Sequence, residues 1–141
     1  MKQRFSHVAM TLPKALLEED AKHRWLAFYR DVFGWSENLR FAIPGERVFI
    51  RAPEDGQYLN ARASEEPMQT SGYEHLGLWV ESEDEVHRLH AAATVFAECD
   101  DAVVLGDVEV LYDGSLTTFR VQYVLPLTIE VQFHAAMLEV M

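Results

Sequence analysis

Phe5-Ser6-His7-Val8-Ala9-Met10 lies on Tyr73-Glu74-His75-Leu76-Gly77-Leu78, aromatic on aromatic, histidine on histidine, long apolar on long apolar, at an offset of 75 − 7 = 68 residues. That offset is close to half of the 141-residue chain. An acidic start and a helical pattern follow each copy, with His23-Arg24 in the first and His87-Arg88 in the second at the slightly shorter offset of 87 − 23 = 64. A strand, a helix and then short strands, in an order that recurs, predict two tandem modules of the same build. The module boundary is expected near residues 66 and 67, giving one domain over 1–141 with module 1 at about 1–66 and module 2 at about 67–141.

Outward from the first copy, Trp25, Leu26, Tyr29, Val32 and Phe33 recur at helical spacing and predict a helix from about Leu17 to Phe33. Glu18, Glu19 and Asp20 suit its positive end, and Gly34 suits a left-handed cap. Outward from the second copy, Ser82-Glu83-Asp84-Glu85 reads as a capping box opening a helix whose buried stripe is Val86, Leu89, Ala93 and Phe96. Short runs broken by turn residues predict strands at Glu37–Ile43, Arg47–Arg51, Gln57–Ala63, Ala102–Leu105, Val108–Tyr112, Leu116–Leu125 and Leu127–His134, with a turn at Pro53-Glu54-Asp55-Gly56. The aromatics Trp25, Phe28, Tyr29, Phe33 and Trp35 read as core.

Composition narrows the partners. Lys+Arg 12 against Asp+Glu 23 gives a net charge of −11, a field that repels phosphate backbones and anionic lipid heads, so neither nucleic acid nor a membrane is expected as a partner. No apolar run approaches the roughly 20 residues of a membrane helix, and Met1-Lys2-Gln3-Arg4-Phe5 lacks a signal-peptide core, which predicts a cytoplasmic protein. The single cysteine, Cys99, has no partner for a disulfide and reads as a buried small hydrophobe.

Strand alternation sorts the histidines. His7 shares a face with Phe5, Ala9 and Thr11, opposite Val8, Met10 and Leu12; His75 shares one with Gly77 and Trp79, opposite Leu76, Leu78 and Val80. In the last strand Leu127, Ile129, Val131 and Phe133 must face the helices, which leaves Thr128, Glu130, Gln132 and His134 on the other side. His7, His75 and Glu130 thus all point away from the helix layer, and two imidazoles with one carboxylate form the ligand set of a divalent metal site with open positions. His23, His87, His90 and His134 read as exposed or terminal.

Together with Phe28-Tyr29-Arg30-Asp31-Val32-Phe33-Gly34-Trp35, His75-Leu76-Gly77-Leu78-Trp79-Val80 and Ile129-Glu130-Val131, these motifs resemble the vicinal oxygen chelate superfamily, which includes glyoxalase I, bleomycin resistance proteins, fosfomycin resistance enzymes, methylmalonyl-CoA epimerase and extradiol dioxygenases. The resemblance implies an α+β fold of two βαβββ modules forming a cup-shaped mixed sheet covered by helices, completed in a homodimer. It also implies metal ligands on the first and last strands of the modules. The family's fourth ligand would fall on Asn60, 130 − 60 = 70 residues before Glu130, where this chain has a short neutral side chain in place of the usual Glu or Gln. Parity puts Arg62 and Arg120 on the same faces, as groups able to attract an anionic substrate. Tyr123 falls instead on the apolar face of its strand with Phe119, Val121 and Leu125, and Val124-Leu125-Pro126 replaces the Asp-Pro-Asp-Gly loop common in the family.

The expected function is a glyoxalase- or dioxygenase-like metalloprotein. A divalent Fe, Zn, Ni, Co or Mn ion on His7, His75 and Glu130 would chelate neighbouring oxygens of a small substrate and stabilise an enolate or alkoxide in lyase, isomerase or oxygen chemistry. The competing expectation is a metal-free, bleomycin-resistance-like binding protein that holds a small molecule between Phe5, Tyr58 and Trp79. In that case the Glu130 carboxylate would have to be protonated or paired with Arg62 or Arg120.

Overall fold

A computed structural model describes residues 3–53 and 56–136; the turn expected at Pro53-Glu54-Asp55-Gly56 therefore lies partly outside the described residues, as do Met1 and Lys2. The chain divides into two compact units, Met1–Gln69 and Thr70–Met141.

The first unit runs β1 (His7–Leu12), a short 3-10 turn (Lys14–Leu17), α1 (Glu19–Phe33), β2 (Ser36–Glu37), β3 (Arg47–Arg51) and β4 (Tyr58–Ala63). Its sheet has the order β1-β4-β3-β2, with β1 parallel to β4 and the other pairs antiparallel. The helix begins two residues later than Leu17 because Lys14–Leu17 winds separately, and the Trp25 indole donates to the Leu16 carbonyl at 2.8 Å to lock that turn onto α1. Gly34 ends α1 in the left-handed region at φ 71°, a conformation an L side chain resists, and its N–H returns to the Arg30 carbonyl. Met10 and Leu12, Val48 and Ile50, and Leu59 and Ala61 fill the inward side of the strands and are buried with Trp25, Phe28, Tyr29 and Val32 of α1. Each buried ring removes roughly 150–250 Å² from water, about 4–6 kcal/mol at 25 cal/mol/Å². The expected strand Glu37–Ile43 is reduced to Ser36–Glu37 and an isolated bridge, Ile43 to Arg47. The intervening backbone turns through residues 39–41, where the Asn38 amide oxygen accepts from the Arg40 N–H at 3.1 Å.

The second unit runs β5 (His75–Trp79), α2 (Glu83–Cys99), β6 (Val104–Leu105), β7 (Glu109–Leu111), β8 (Leu116–Gln122) and β9 (Thr128–His134). The sheet order is β5-β9-β8-β6, with β7 also on β8 and β5 parallel to β9. β6 and β7 are two pieces of one edge strand: pairing slips by one residue between Leu105↔Val121 and Glu109↔Thr118, as a bulge requires. The unit is therefore the second βαβββ module, with its second strand position broken in two. Ser82 caps α2, its hydroxyl accepting from the Glu85 N–H at 3.1 Å. Only half of the capping box forms, because the Glu85 carboxylate turns to Arg88 at 2.7 Å. Of the expected stripe Val86, Leu89 and Ala93 are buried and Phe96 is partly so. Cys99 is exposed, not buried: it falls on the last turn of α2 one residue before the cap, past the end of the Val86–Ala93 stripe. β8 stops at Gln122, short of Leu125, where Val124 enters the left-handed region at φ 59° before Pro126. No helix among the described residues is long and apolar enough to cross a membrane.

Candidate functional site

In the second unit β9 lies between β5 and β8, and the register sets Glu130 beside Gly77 on one side and Arg120 on the other. Ile129 and Val131 point into the core and are buried, so Glu130 must take the opposite face. There its carboxylate, 12% exposed, sits among donors. The His75 Nε2 atom is 3.0 Å from Oε2 and an Arg120 Nη2 atom is 3.5 Å from the same oxygen. The Thr118 hydroxyl proton is shared between the Val131 carbonyl at 2.9 Å and Glu130 Oε1 at 3.2 Å.

The other nitrogen of His75 decides the chemistry. Nδ1 lies 2.6 Å from the Tyr73 carbonyl. A carbonyl only accepts, so Nδ1 carries the proton and Nε2 is the nitrogen that must meet the carboxylate. Two lone pairs facing one another at 3.0 Å repel, and the pair is stable only with a positive species shared between them, a proton on Nε2 or a cation bound by both. An imidazole whose Nδ1–H is held by a backbone carbonyl is the arrangement that orients Nε2 toward a metal. A separation of 3.0 Å is also about the chord between two bonds of roughly 2.1 Å meeting near a right angle. These two donors fit a divalent cation.

Neighbouring residues keep this geometry in place. Glu74, next in the chain, accepts from Ser71 N–H at 2.9 Å and Ser71 Oγ at 2.8 Å, which stiffens the approach to β5. Those bonds, with its own backbone amide first, hold the Glu74 carboxyl below the ordinary glutamate range. Gly77, across from Glu130, makes room for the Gln132 side chain; a Cβ there would come within 2.9 Å of its amide nitrogen.

In the first unit His7 opens β1 on the exposed face, its Nδ1 2.8 Å from Ser6 Oγ and its ring stacked on Tyr58 at 4.7 Å and 7°. Nε2 of His7 has no hydrogen-bond partner among the described residues. Asn60 and Arg62 lie on β4 on that same face, opposite Phe49 and Arg47 of β3. Thus His75, Glu130 and Arg120 meet in one unit, while His7, Asn60 and Arg62 share a sheet face in the other. Among the described residues no cluster of three His, Cys, Asp or Glu side chains has metal-holding geometry.

The remaining histidines divide. His23 pairs with Glu19 at 2.9 Å on the exposed side of α1, His87 is exposed, and His134 Nδ1 accepts from the Ala136 N–H near the end of β9. His90 departs from the exposed reading: it is half-buried, donates from Nε2 to the Gly106 carbonyl at 2.9 Å and meets Phe119 edge-on, tying α2 to the sheet. Tyr123 is buried on the apolar side as its parity requires, its hydroxyl 2.6 Å from Asp100. Sequence reasoning missed Thr118, although its parity with Arg120 places it on the Glu130 face, and it missed the Tyr73 carbonyl, which no side-chain pattern can announce.

No family model matches the chain, and no curated relative matches it. Solved structures do. Lactoylglutathione lyase from Agrobacterium tumefaciens superposes with a TM-score of 0.63 at 17% identity over 94% of this chain and 94% of that one. A possible glyoxalase from Bacillus cereus gives 0.63 at 21% over 92% and 98%. A mutant of the fosfomycin resistance protein FosX from Listeria monocytogenes, complexed with Mn(II) and 1S,2S-dihydroxypropylphosphonic acid, gives 0.70 at 12% over 99% and 98%. The chain has the fold of these proteins.

Proposed function

We propose that this protein is a divalent-metal-dependent enzyme of the vicinal oxygen chelate type acting on a small substrate, with His75 and Glu130 of the second unit and His7 of the first as its metal ligands. The observation that carries the reading is the His75 ring, whose proton is fixed on Nδ1 by the Tyr73 carbonyl while Nε2 stands 3.0 Å from Glu130. A bound Mn, Fe, Co, Ni or Zn ion supplies Lewis acidity toward neighbouring oxygens of the substrate. This chain's own residues prepare for that charge. Thr118 and Arg120 hold the Glu130 oxygens in place. Arg120, 43% exposed, also offers a guanidinium to an anionic substrate group, as Arg62 does from β4; Asn60 is a neutral polar contact for the same substrate. Similarity to a lyase and to a FosX protein bound to Mn(II) supports lyase or addition chemistry ahead of oxygen chemistry. The two units act as one domain of a cytoplasmic homodimer.

A second reading rests on a different feature of the same carboxylate: His75, Thr118 and Arg120 already surround Glu130, so a metal-free protein that sequesters a small molecule has no orphaned charge. Elemental analysis of the purified chain separates the two. The enzyme reading expects about one transition-metal ion per chain, lost in His75→Ala and in His7→Ala. Metal below a tenth of that level, unchanged in either variant after reconstitution, favours the sequestering protein.

A further inference from the structure

The open face of the first sheet is a grid of nine side chains. Its rows across the strands are Arg51, Tyr58 and His7; then Phe49, Asn60 and Ala9; then Arg47, Arg62 and Thr11. In a chain of net charge −11 this face carries three arginines and no acid. Arg47 and Arg62 stand directly opposite one another on paired strands, an arrangement of like charges that costs stability unless something negative lies between them. Among the described residues neither has a carboxylate partner. Arg47 is held in readiness: its Nε donates to the Phe41 carbonyl at 3.2 Å and its guanidinium lies 5.1 Å from the Phe49 ring centroid, which leaves the two terminal nitrogens free. Beside Arg62 a groove of about 290 Å³ opens, lined also by Lys14, Glu46 and Glu65.

The other end of the grid is aromatic. His7 and Tyr58 stack at 4.7 Å, Tyr58 meets Phe49 at 5.3 Å, and Phe49 meets Phe41 at 5.7 Å. Between the aromatic row and the two arginines the floor is low, formed by Asn60 and Ala9, and Ala9 is exposed. Two residues along a strand span roughly 6.6 Å, close to the roughly 6 Å from the centre of the distal ring of a fused bicycle to the oxygens of a carboxylate on the other ring.

We infer that this face binds a planar aromatic carboxylate, its ring over Asn60 and Ala9 against Tyr58 and Phe49 and its carboxylate between Arg47 and Arg62. Guanidinium forks match a carboxylate's two oxygens, and flat rings stack on flat rings at little entropic cost. The inference names the substrate class of the reading above and rests on it in taking the bound molecule as substrate; the binding itself needs no metal.

The test titrates 2-naphthoate, cyclohexanecarboxylate and inorganic phosphate into the full chain treated with EDTA, followed by calorimetry. Naphthoate is expected to bind at least about tenfold more tightly than either control, and to weaken by at least about tenfold in Arg62→Ala, in Arg47→Ala/Arg62→Ala and in Asn60→Trp, which fills the floor. Both arginine side chains lie on the solvent side of the sheet, so Arg62→Ala leaves the core intact; unchanged circular dichroism checks this. Equal affinity for naphthoate and phosphate, equal affinity for naphthoate and cyclohexanecarboxylate, absence of naphthoate binding, or unaltered affinity in Arg62→Ala overturns the inference. Metal analysis of the parent chain before EDTA treatment keeps the two readings apart. Naphthoate bound by a parent chain that neither purifies with metal nor takes it up on reconstitution leaves this inference standing and the enzyme reading fallen, and normal metal content with no naphthoate binding does the reverse.

Discussion

Glu130 distinguishes a metal ligand from a structural ion pair, because its two conservative replacements act differently on the two roles. In Glu130→Gln the amide oxygen, in the place of Oε1, still accepts from Thr118, and the amide N–H, in the place of Oε2, can donate to His75 Nε2, whose own proton is on Nδ1. Charge is lost and Arg120, 43% exposed, exchanges its 3.5 Å contact with Oε2 for water, but Thr118 and His75 keep partners, so the metal-free protein should lose no more than about 1 kcal/mol. Glu130→Ala leaves the Thr118 hydroxyl its Val131 carbonyl and strands the other two donors. His75 is 26% exposed and Arg120 43%, so both regain water, and the cost is about 2 kcal/mol, below that of a sealed pair. The metal-dependent part is larger. A ligand at 100 times its Kd stabilises by about 2.7 kcal/mol, which for a chain of this size is a rise in Tm of about 5–11 °C. A neutral amide is a poor ligand for a divalent cation, so that rise should vanish in Glu130→Gln while the metal-free Tm moves by about 2–4 °C. Differential scanning calorimetry with and without Mn, Co, Ni and Zn measures both. If Glu130→Gln keeps the full metal-induced rise, Glu130 is no ligand and the reasoning from its geometry fails.

Four further outcomes follow from other parts of the fold. Lys22, buried on α1, lies 3.1 Å from Glu37 of β2 and 3.4 Å from the exposed Glu19; Glu37→Ala should cost about 3 kcal/mol in urea denaturation, while Lys22→Met/Glu37→Leu should stay within about 1 kcal/mol of the parent. Burial lowers the Lys22 ammonium, yet the Glu37 and Glu19 carboxylates outweigh it and raise it above the ordinary lysine range, so the ion pair's contribution is complete below about pH 10 and is lost only as pH climbs through that raised value. Ser82→Ala should cost about 1 kcal/mol at any pH. Arg88 beside Glu85 holds that carboxyl below the ordinary range, so Glu85→Ala should cost a few tenths of a kcal/mol at neutral pH, and that difference should disappear as pH falls below about 4. Cys99, exposed at the end of α2, should react with a thiol reagent in the native state as fast as in urea; protection by more than about a hundredfold would return it to the interior.

The fold was legible wherever a period ran long enough to be counted. Trp25, Tyr29, Val32 and Phe33 repeat at helical spacing and Gly34 supplies the residue type that adopts φ 71° at least cost, so α1 and its end could be placed from residue identity alone. Alternation likewise set every face: Met10 and Leu12 inward against His7 outward, Ile129 and Val131 inward against Glu130 outward. Boundaries were legible only where a turn residue enforced them. Residues 37–43 are apolar enough for a strand, but the Asn38 side chain offers the backbone a local bond and the chain turns there. Cys99 was misread because helix termini escape the period that governs the middle.

Face and partner are different kinds of information, and the site shows why. Parity told that His75, Glu130 and Arg120 share one side of a sheet, yet the chemistry depends on which ring nitrogen of His75 bears a proton, and that is set by a backbone carbonyl two residues earlier. Any residue could have supplied that carbonyl, so no residue type could betray it. The arginine and aromatic face of the first sheet was hidden for a related reason. Arg47, Phe49, Tyr58 and Arg62 are separated by a turn, and only the register Arg47↔Arg62 makes two isolated cations into a pair that calls for an anion. A one-residue slip of β3 against β4 would place Val48 on that face and Arg47 in the core, which the burial of Val48 and Ile50 forbids. The hydrophobic core thereby fixes the charge pattern on the opposite side, and a ligand face of this kind follows from packing that never touches the ligand.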